Sequence, residues 1–412
     1  MSLFSKFFQS LDFTIFPMFY YQKLLQDRLA NSFWNSFHND NLQAAKPNSI
    51  LCTIVLLYWT GFFCLVYILF PFRCDNDTYW IFTKFCPPSS EVFITTMSFV
   101  WSLMSSSILI KMSSYLADFT FLLPLNMSEE NFFIFGFDYN RWIRFFQFKR
   151  KIFFCSKIAV YLIWASGWIA ITFQIYRRNL FYESDKFFLS FWYLDFSIWI
   201  VYIASAIVHS PSVIIVLQYY IYHKQNIISE EMRSLVRRPS TINNFVNKIF
   251  QINNSQSNLQ LEIHCYNDQI CRFMSIIVLF STLMITYLTY IIYSTSMPME
   301  FVVIFAITLS SHTSLLIVLI YSSSKISTMN KHFAQWSQKI PTILSNRFSQ
   351  RSLRFFTKNE LKLSTVSYVM LKRPIGFSLS NDYLITSMTY FQIFYNISSF
   401  FFLIFGGTFS FT

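Results

Sequence analysis

Glycine is scarce in this chain, with 6 among 412 residues, and neither a Gly-rich phosphate loop nor a Gly-x-Ser-x-Gly nucleophile elbow is present. The histidines are His38, His209, His223, His264, His312 and His332, and none stands at ligand spacing from another or from a carboxylate. That absence argues against a metal centre, and the sequence is read as having no cofactor and no enzymatic activity. Charged residues make up only 13% of the chain, against 54% hydrophobic, which excludes a soluble fold: that much apolar surface has no interior to occupy in water. The 7 cysteines are scattered rather than framed. Cys52, Cys64 and Cys155 fall in apolar runs, and Cys265 and Cys271 in a basic region expected to be reducing. Cys74 and Cys86 flank one short loop and form the candidate disulfide if that loop lies outside.

What the chain has instead is aromatic and aliphatic length: 52 Phe, 21% aromatic residues, and seven apolar stretches of about 20 residues or more, each enough helix to cross a bilayer. They are Ile50 to Phe70, Val92 to Leu116, Ile152 to Tyr176, Phe188 to Tyr220, Phe273 to Tyr293, Phe301 to Tyr321 and Tyr383 to Ile404. The expectation is an all-α, polytopic membrane protein. It has a cytoplasmic segment 1–49, a seven-helix membrane domain 50–412 and a long cytoplasmic loop 322–382. The apolar run FTIFPMFYY near the start is too short to span, is broken by Pro17 and lacks a small-residue cleavage site, so it reads as a piece lying along the inner membrane face.

The net charge of +12 reports topology rather than a nucleic-acid partner. Twenty-five Lys and Arg residues fall on the side of the N-terminus and the even-numbered loops, and five on the other. The N-terminus is therefore expected inside and the C-terminus outside, in the plasma membrane. The sequon at Asn76 falls in the first outside loop and is the expected glycosylation site. This orientation is the reverse of a G-protein-coupled receptor, and the Asp-Arg-Tyr and Asn-Pro-x-x-Tyr motifs of that class are absent.

Span four runs on into QYYIYHKQNIISEEMRSLV, which predicts a helix continuing well into the cytoplasm, and Asn254 to Asn258 read as a flexible tip before span five. The sixth loop reads as helical from Ser324 to Lys339 and from Asn359 to Leu371, with Pro341 and Pro374 as breaks. Its ten basic residues suit anionic lipids of the inner leaflet.

In span four, Asp195 sits between Trp192 and Trp199 on one helical face. This arrangement suits either a cationic ligand held by charge and cation–π contact or a pairing with a neighbouring hydroxyl. Trp168, Thr172 and Tyr290, with Thr95, Phe99, Tyr193, Tyr287 and Phe305, are further outer-half candidates for a small-molecule pocket. His312 reads as a hydrogen-bonded bundle residue.

In the last span Asp382, Thr386, Thr389, Ile393, Asn396 and Phe400 recur at intervals of four and three, one stripe of a helix. The stripe is either a helix–helix seam or a pore face of polar steps and an apolar constriction. The surrounding stretch MLKRPIGFSLSNDYLITSMTYFQIFYNI, Met370 to Ile397, resembles the C-terminal signature of the insect-type odorant and gustatory receptor superfamily. Arg373-Pro374, Phe377, Leu379, Thr389-Tyr390 and Ile397 stand in the family positions; Asn396 replaces a Gln, and Gln392 interrupts the apolar five. The resemblance, gustatory-receptor-like in branch, implies a ligand-gated non-selective cation channel. It also implies a homo- or hetero-tetramer, a small-molecule pocket in each subunit, anchoring cytoplasmic helices and a pore lined by span seven. It puts the gate on Ile393 and Ile397 with Asn396 between them. The alternative is a receptor without conductance that signals through a cytoplasmic partner.

Overall fold

Apolar side chains on the outside of long helices set the character of this molecule. The computed structural model describes residues 91–115, 139–177, 186–237, 242–294, 297–347, 376–380 and 383–409, with Tyr58, Gly61 and Tyr368. The helices are α1 (Glu91–Tyr115), α2 (Tyr139–Arg177), α3 (Lys186–Arg237), α4 (Ile242–Ser294), α5 (Met299–Arg347) and α6 (Ser387–Phe409). A two-residue strand β2 (Tyr383–Leu384) pairs antiparallel with β1 (Ser378–Ser380) just before α6. Among the described residues, Tyr139–Arg177, Ile270–Tyr293 and Phe301–Ile340 are each long and apolar enough to cross a membrane. On α2, Phe154, Ile158, Leu162, Ile169 and Phe173 are all exposed, at helical spacing. A stripe of that size is unfavourable in water and stable in hydrocarbon, so the fold is that of an all-α membrane protein.

Helix α3 is the central element and packs most extensively on α2 and α5. Its contact with α2 is close at Gly167, where a Cβ would come within 2.5 Å of Ile200 Cδ1 and would push the end of that side chain aside. Pro211 lies inside α3 and removes one backbone donor. Ser210 and Ser212 donate to the carbonyls of Ala206 and Val208 on either side of the freed group, and Ser212 also meets Ser156 of α2 at 2.6 Å.

With 52, 53 and 49 residues, α3, α4 and α5 are far longer than a bilayer requires. At about 1.5 Å per residue each is roughly 75–80 Å long, so all three project beyond the membrane. Their projecting parts form a coiled-coil-like bundle. On α4 the buried residues Phe245, Ile249, Ile252, Gln256, Leu259, Ile263, Tyr266 and Ile270 alternate at four and three. Leu316, Leu319, Ser323, Ile326, Asn330, Phe333, Ser337 and Ile340 do the same on α5. One layer is polar: Gln225 and Gln256 exchange amide hydrogen bonds of 3.1 and 3.3 Å, and Gln256 donates to Asn330 at 3.0 Å. A second pairs Gln218 with Ser322 and, at 2.6 Å, Ser323. Lys224 and Glu262 bridge α3 and α4 at 2.7 Å, and Tyr266 donates to the same carboxylate.

Three sequence expectations change here. Residues 254–258 form no tip: Gln256 and Leu259 face the bundle while Asn254, Ser255, Ser257 and Asn258 face out, so the helix is unbroken. Helix α5 continues through Pro341, whose missing amide forfeits a single bond near the helix end. The last helix begins at Ser387 rather than Tyr383, because Phe377 and Ile385, both fully buried, join through a 2.9 Å backbone bond that holds the hairpin. Thr386 thus precedes the helix, and Asp382 lies outside the described residues. The expected helix 359–371 and the first span lie outside them too, apart from single residues.

Candidate functional site

Two regions of the bundle carry polar groups with no structural partner or at an exposed face. The first comprises one contact between α2 and α3 and another between α1 and α5. Trp168 of α2 meets Tyr193 of α3 edge-on at 4.4 Å, and Thr172 links the pair: it donates to the Trp168 carbonyl and lies 2.6 Å from the Tyr193 hydroxyl. The indole nitrogen of Trp168 is buried and bonds to nothing. Between α1 and α5, Trp101 stacks with His312 at 6.3 Å and 24°. Trp101 Nε1, Ser105 Oγ one turn further on, and His312 Nδ1 are all buried without a hydrogen-bond partner. Buried polar atoms are nearly always satisfied, so a concentration of orphans marks where water or a ligand atom would be held.

Of the expected set Trp192, Asp195 and Trp199, the side chain of Trp199 is described. Trp199 is buried and its indole donates to Ser102 of α1 at 2.8 Å, which commits it to the α1–α3 contact. The side chains of Trp192 and Asp195 lie outside the described residues. Tyr290 is half-buried on α4 against the core, away from the Trp168–Thr172 pair in sequence and helix. Trp101 and Ser105 were not singled out in the sequence, where span two offered only one Trp among many serines. An open groove of about 540 Å³ follows α5 along Val303, Ala306, Ile307, Ser310, Ser311 and Ser314. Ser310 and Ser311 donate to their own helix carbonyls, so this face presents an apolar surface.

The second region is α6. Thr389 of the Thr-Tyr motif is buried, and its hydroxyl accepts the Thr386 amide at 3.0 Å: it caps the helix and ties it to the hairpin. The Tyr390 side chain lies outside the described residues. Ile393, expected on the pore face, is buried in the core, because it continues the Thr389 side of the helix toward α4 and α5. Ile397 is half-buried and Asn396 exposed. The exposed polar edge therefore runs through Gln392, Asn396 and Ser399, spaced four and three, beside Phe391 and Tyr395. The Tyr383 hydroxyl donates to the Gln392 amide oxygen.

Cys74, Cys86 and Asn76 lie outside the described residues. Among the described residues, Cys155, Cys265 and Cys271 are free thiols, and no group of three His, Cys, Asp or Glu side chains converges.

No protein-family model and no curated protein matches the sequence. The fold, in contrast, is similar to that of the insect olfactory receptor OR5 from Machilis hrabei in complex with eugenol. The TM-score is 0.63 over 93% of this chain and 96% of that one, at 10% identity. A second structure of the same receptor gives 0.64 over the same shares. At that identity the likeness concerns the fold.

Proposed function

We propose that this chain is a chemosensory receptor, gustatory in type, that acts as a ligand-gated non-selective cation channel in the plasma membrane. The carrying observation is a fold shared over nearly its whole length with an olfactory receptor, joined to a last helix that bears the Thr389-Tyr390 motif and an exposed line of amides. On this reading seven spans cross the bilayer with the N-terminus inside. A small molecule binds among Trp101, Trp168, Tyr193 and His312, and the unpartnered ring nitrogens of Trp101, Trp168 and His312 select a ligand with a hydroxyl or carbonyl group. Four subunits, identical or related, surround one pore.

The pore is formed by the exposed face of α6. Gln392, Asn396 and Ser399 offer steps for a partly hydrated cation, and Ile397 at the border of that face narrows it; Ile393 supports the helix from behind. The test is current recording in cells that express this chain alone and then with a related subunit, across sugars, bitter compounds and volatiles. Ligand-dependent cation current supports the reading. Ligand binding with no current in either arrangement overturns it.

A further inference from the structure

Where α2, α3 and α5 leave the membrane on its basic side, two exposed cations flank a shelf of aromatic rings. Tyr219 of α3 stacks on Phe148 of α2 with centroids 3.8 Å apart, and meets the imidazole of His223 edge-on at 4.4 Å. Tyr222 lies beside the same imidazole at 5.8 Å. Lys325 of α5 holds its ammonium 4.7 Å from the Tyr222 ring and 5.6 Å from that of Tyr321. Arg144 of α2 acts on His223 electrostatically, as does Arg141.

The carboxylates nearby are otherwise engaged. Glu230 pairs with Arg141 at 2.5 Å and accepts the Asn226 amide. Glu231 faces Arg141 and Lys248. Arg144 and Lys325 are exposed and make no ion pair among the described residues, and His223 Nε2 is buried with no hydrogen-bond partner. Rings hold Lys325 in place but do not neutralise it. The position is also particular: Tyr321 and Val318, one and two turns from Lys325 toward the apolar part of α5, are exposed, as suits a shelf at the headgroup level.

We propose that Arg144, His223 and Lys325 form a binding site for the phosphate of an anionic phospholipid headgroup, with Tyr222 and Tyr321 as its rim. A guanidinium and an ammonium supply the charge, the imidazole the missing donor, and the acyl chains pass along the exposed apolar face of α5. The occupant bridges α2 and α5 across α3, so its presence stiffens the level at which the membrane bundle becomes the projecting coiled coil.

The experiment uses the full chain in detergent and a fluorescent short-chain phosphatylinositol 4,5-bisphosphate, read by anisotropy. Arg144→Gln with Lys325→Gln is expected to weaken binding about thirtyfold, roughly fivefold per cation. Lys331→Gln with Lys339→Gln, two exposed cations further along α5 and away from the shelf, is expected to leave it unchanged. Equal loss in both pairs, or none in the first, overturns the site. Competition separates the sources: excess unlabelled lipid is expected to displace the probe, and displacement by inorganic phosphate at the same concentration overturns the lipid assignment. Tyr222→Leu, which leaves both cations, is expected to weaken binding less than the double change, and monodisperse elution of each variant verifies its fold.

Discussion

Asn267 of α4 holds Ser378 of β1 with both edges of its amide: Nδ2 donates to Ser378 Oγ and Oδ1 accepts the Ser378 N–H, each at 2.8 Å. The hairpin that carries α6 is thereby fastened to the projecting bundle. Gly376 allows the close fit, since a Cβ there would stand 3.2 Å from Leu384 and 3.4 Å from Ser327 of α5. Replacing Asn267 by Ala removes both bonds and leaves a part-buried amide unpaired, at a cost of about 1–3 kcal/mol. The expected outcome is a lower thermal midpoint and, in expressing cells, altered ligand-evoked current at unchanged surface density.

The polar layer of the coiled coil gives a sharper test. Gln256→Leu strands the Gln225 amide inside an apolar stack, takes one partner from Asn330 and is expected to destabilise by about 1–3 kcal/mol. The triple change Gln225→Leu, Gln256→Leu, Asn330→Leu is expected to recover that loss, because a layer of matched apolar groups needs no partner. Thermal unfolding of the purified variants measures both; recovery failing in the triple variant would show that the layer is not an independent unit.

For α6, burial separates residues that their spacing had joined. Ile393→Ala is expected to act through packing, with a loss of about 2–5 kcal/mol and reduced surface expression. Ile397→Ala is expected to express normally and leak cations without ligand, and Asn396→Leu to lower single-channel conductance. Normal permeation in both of the latter, well expressed, would move the pore off this face.

Burial pushes His223 below its ordinary value near 6.5, and Arg141 and Arg144 push the same way. As pH falls through 6.5 toward the folded-state value, the unfolded chain takes a proton that the folded chain refuses, so stability declines in that window and is unaffected above it. Melting from pH 7.5 downward is expected to show a steeper fall for the native chain than for His223→Gln.

The all-α membrane character could be read in the sequence, because hydrocarbon demands long apolar helices. The bundle beyond the membrane was only half visible. Phe245, Ile249, Ile252, Leu259, Ile263 and Ile270 mark a heptad on their own, yet Gln256 in their midst and the Asn and Ser residues around it read locally as a loop. The hairpin was hidden for a different reason: Tyr383 to Ile385 is as apolar as the helix that follows, and only the partners of Phe377 and Asn267, remote in sequence, decide that it is strand. Ile393 could not be assigned to one side, since a seam and a pore face share one periodicity.

The unbroken length of α3, α4 and α5 turns angle into distance. A rod of roughly 78 Å that tilts by about 5° at one end displaces the other by roughly 7 Å, more than a helical turn. A tilt of α3 that starts beside Gly167 and Ile200 is thus largest at its far end, Arg237.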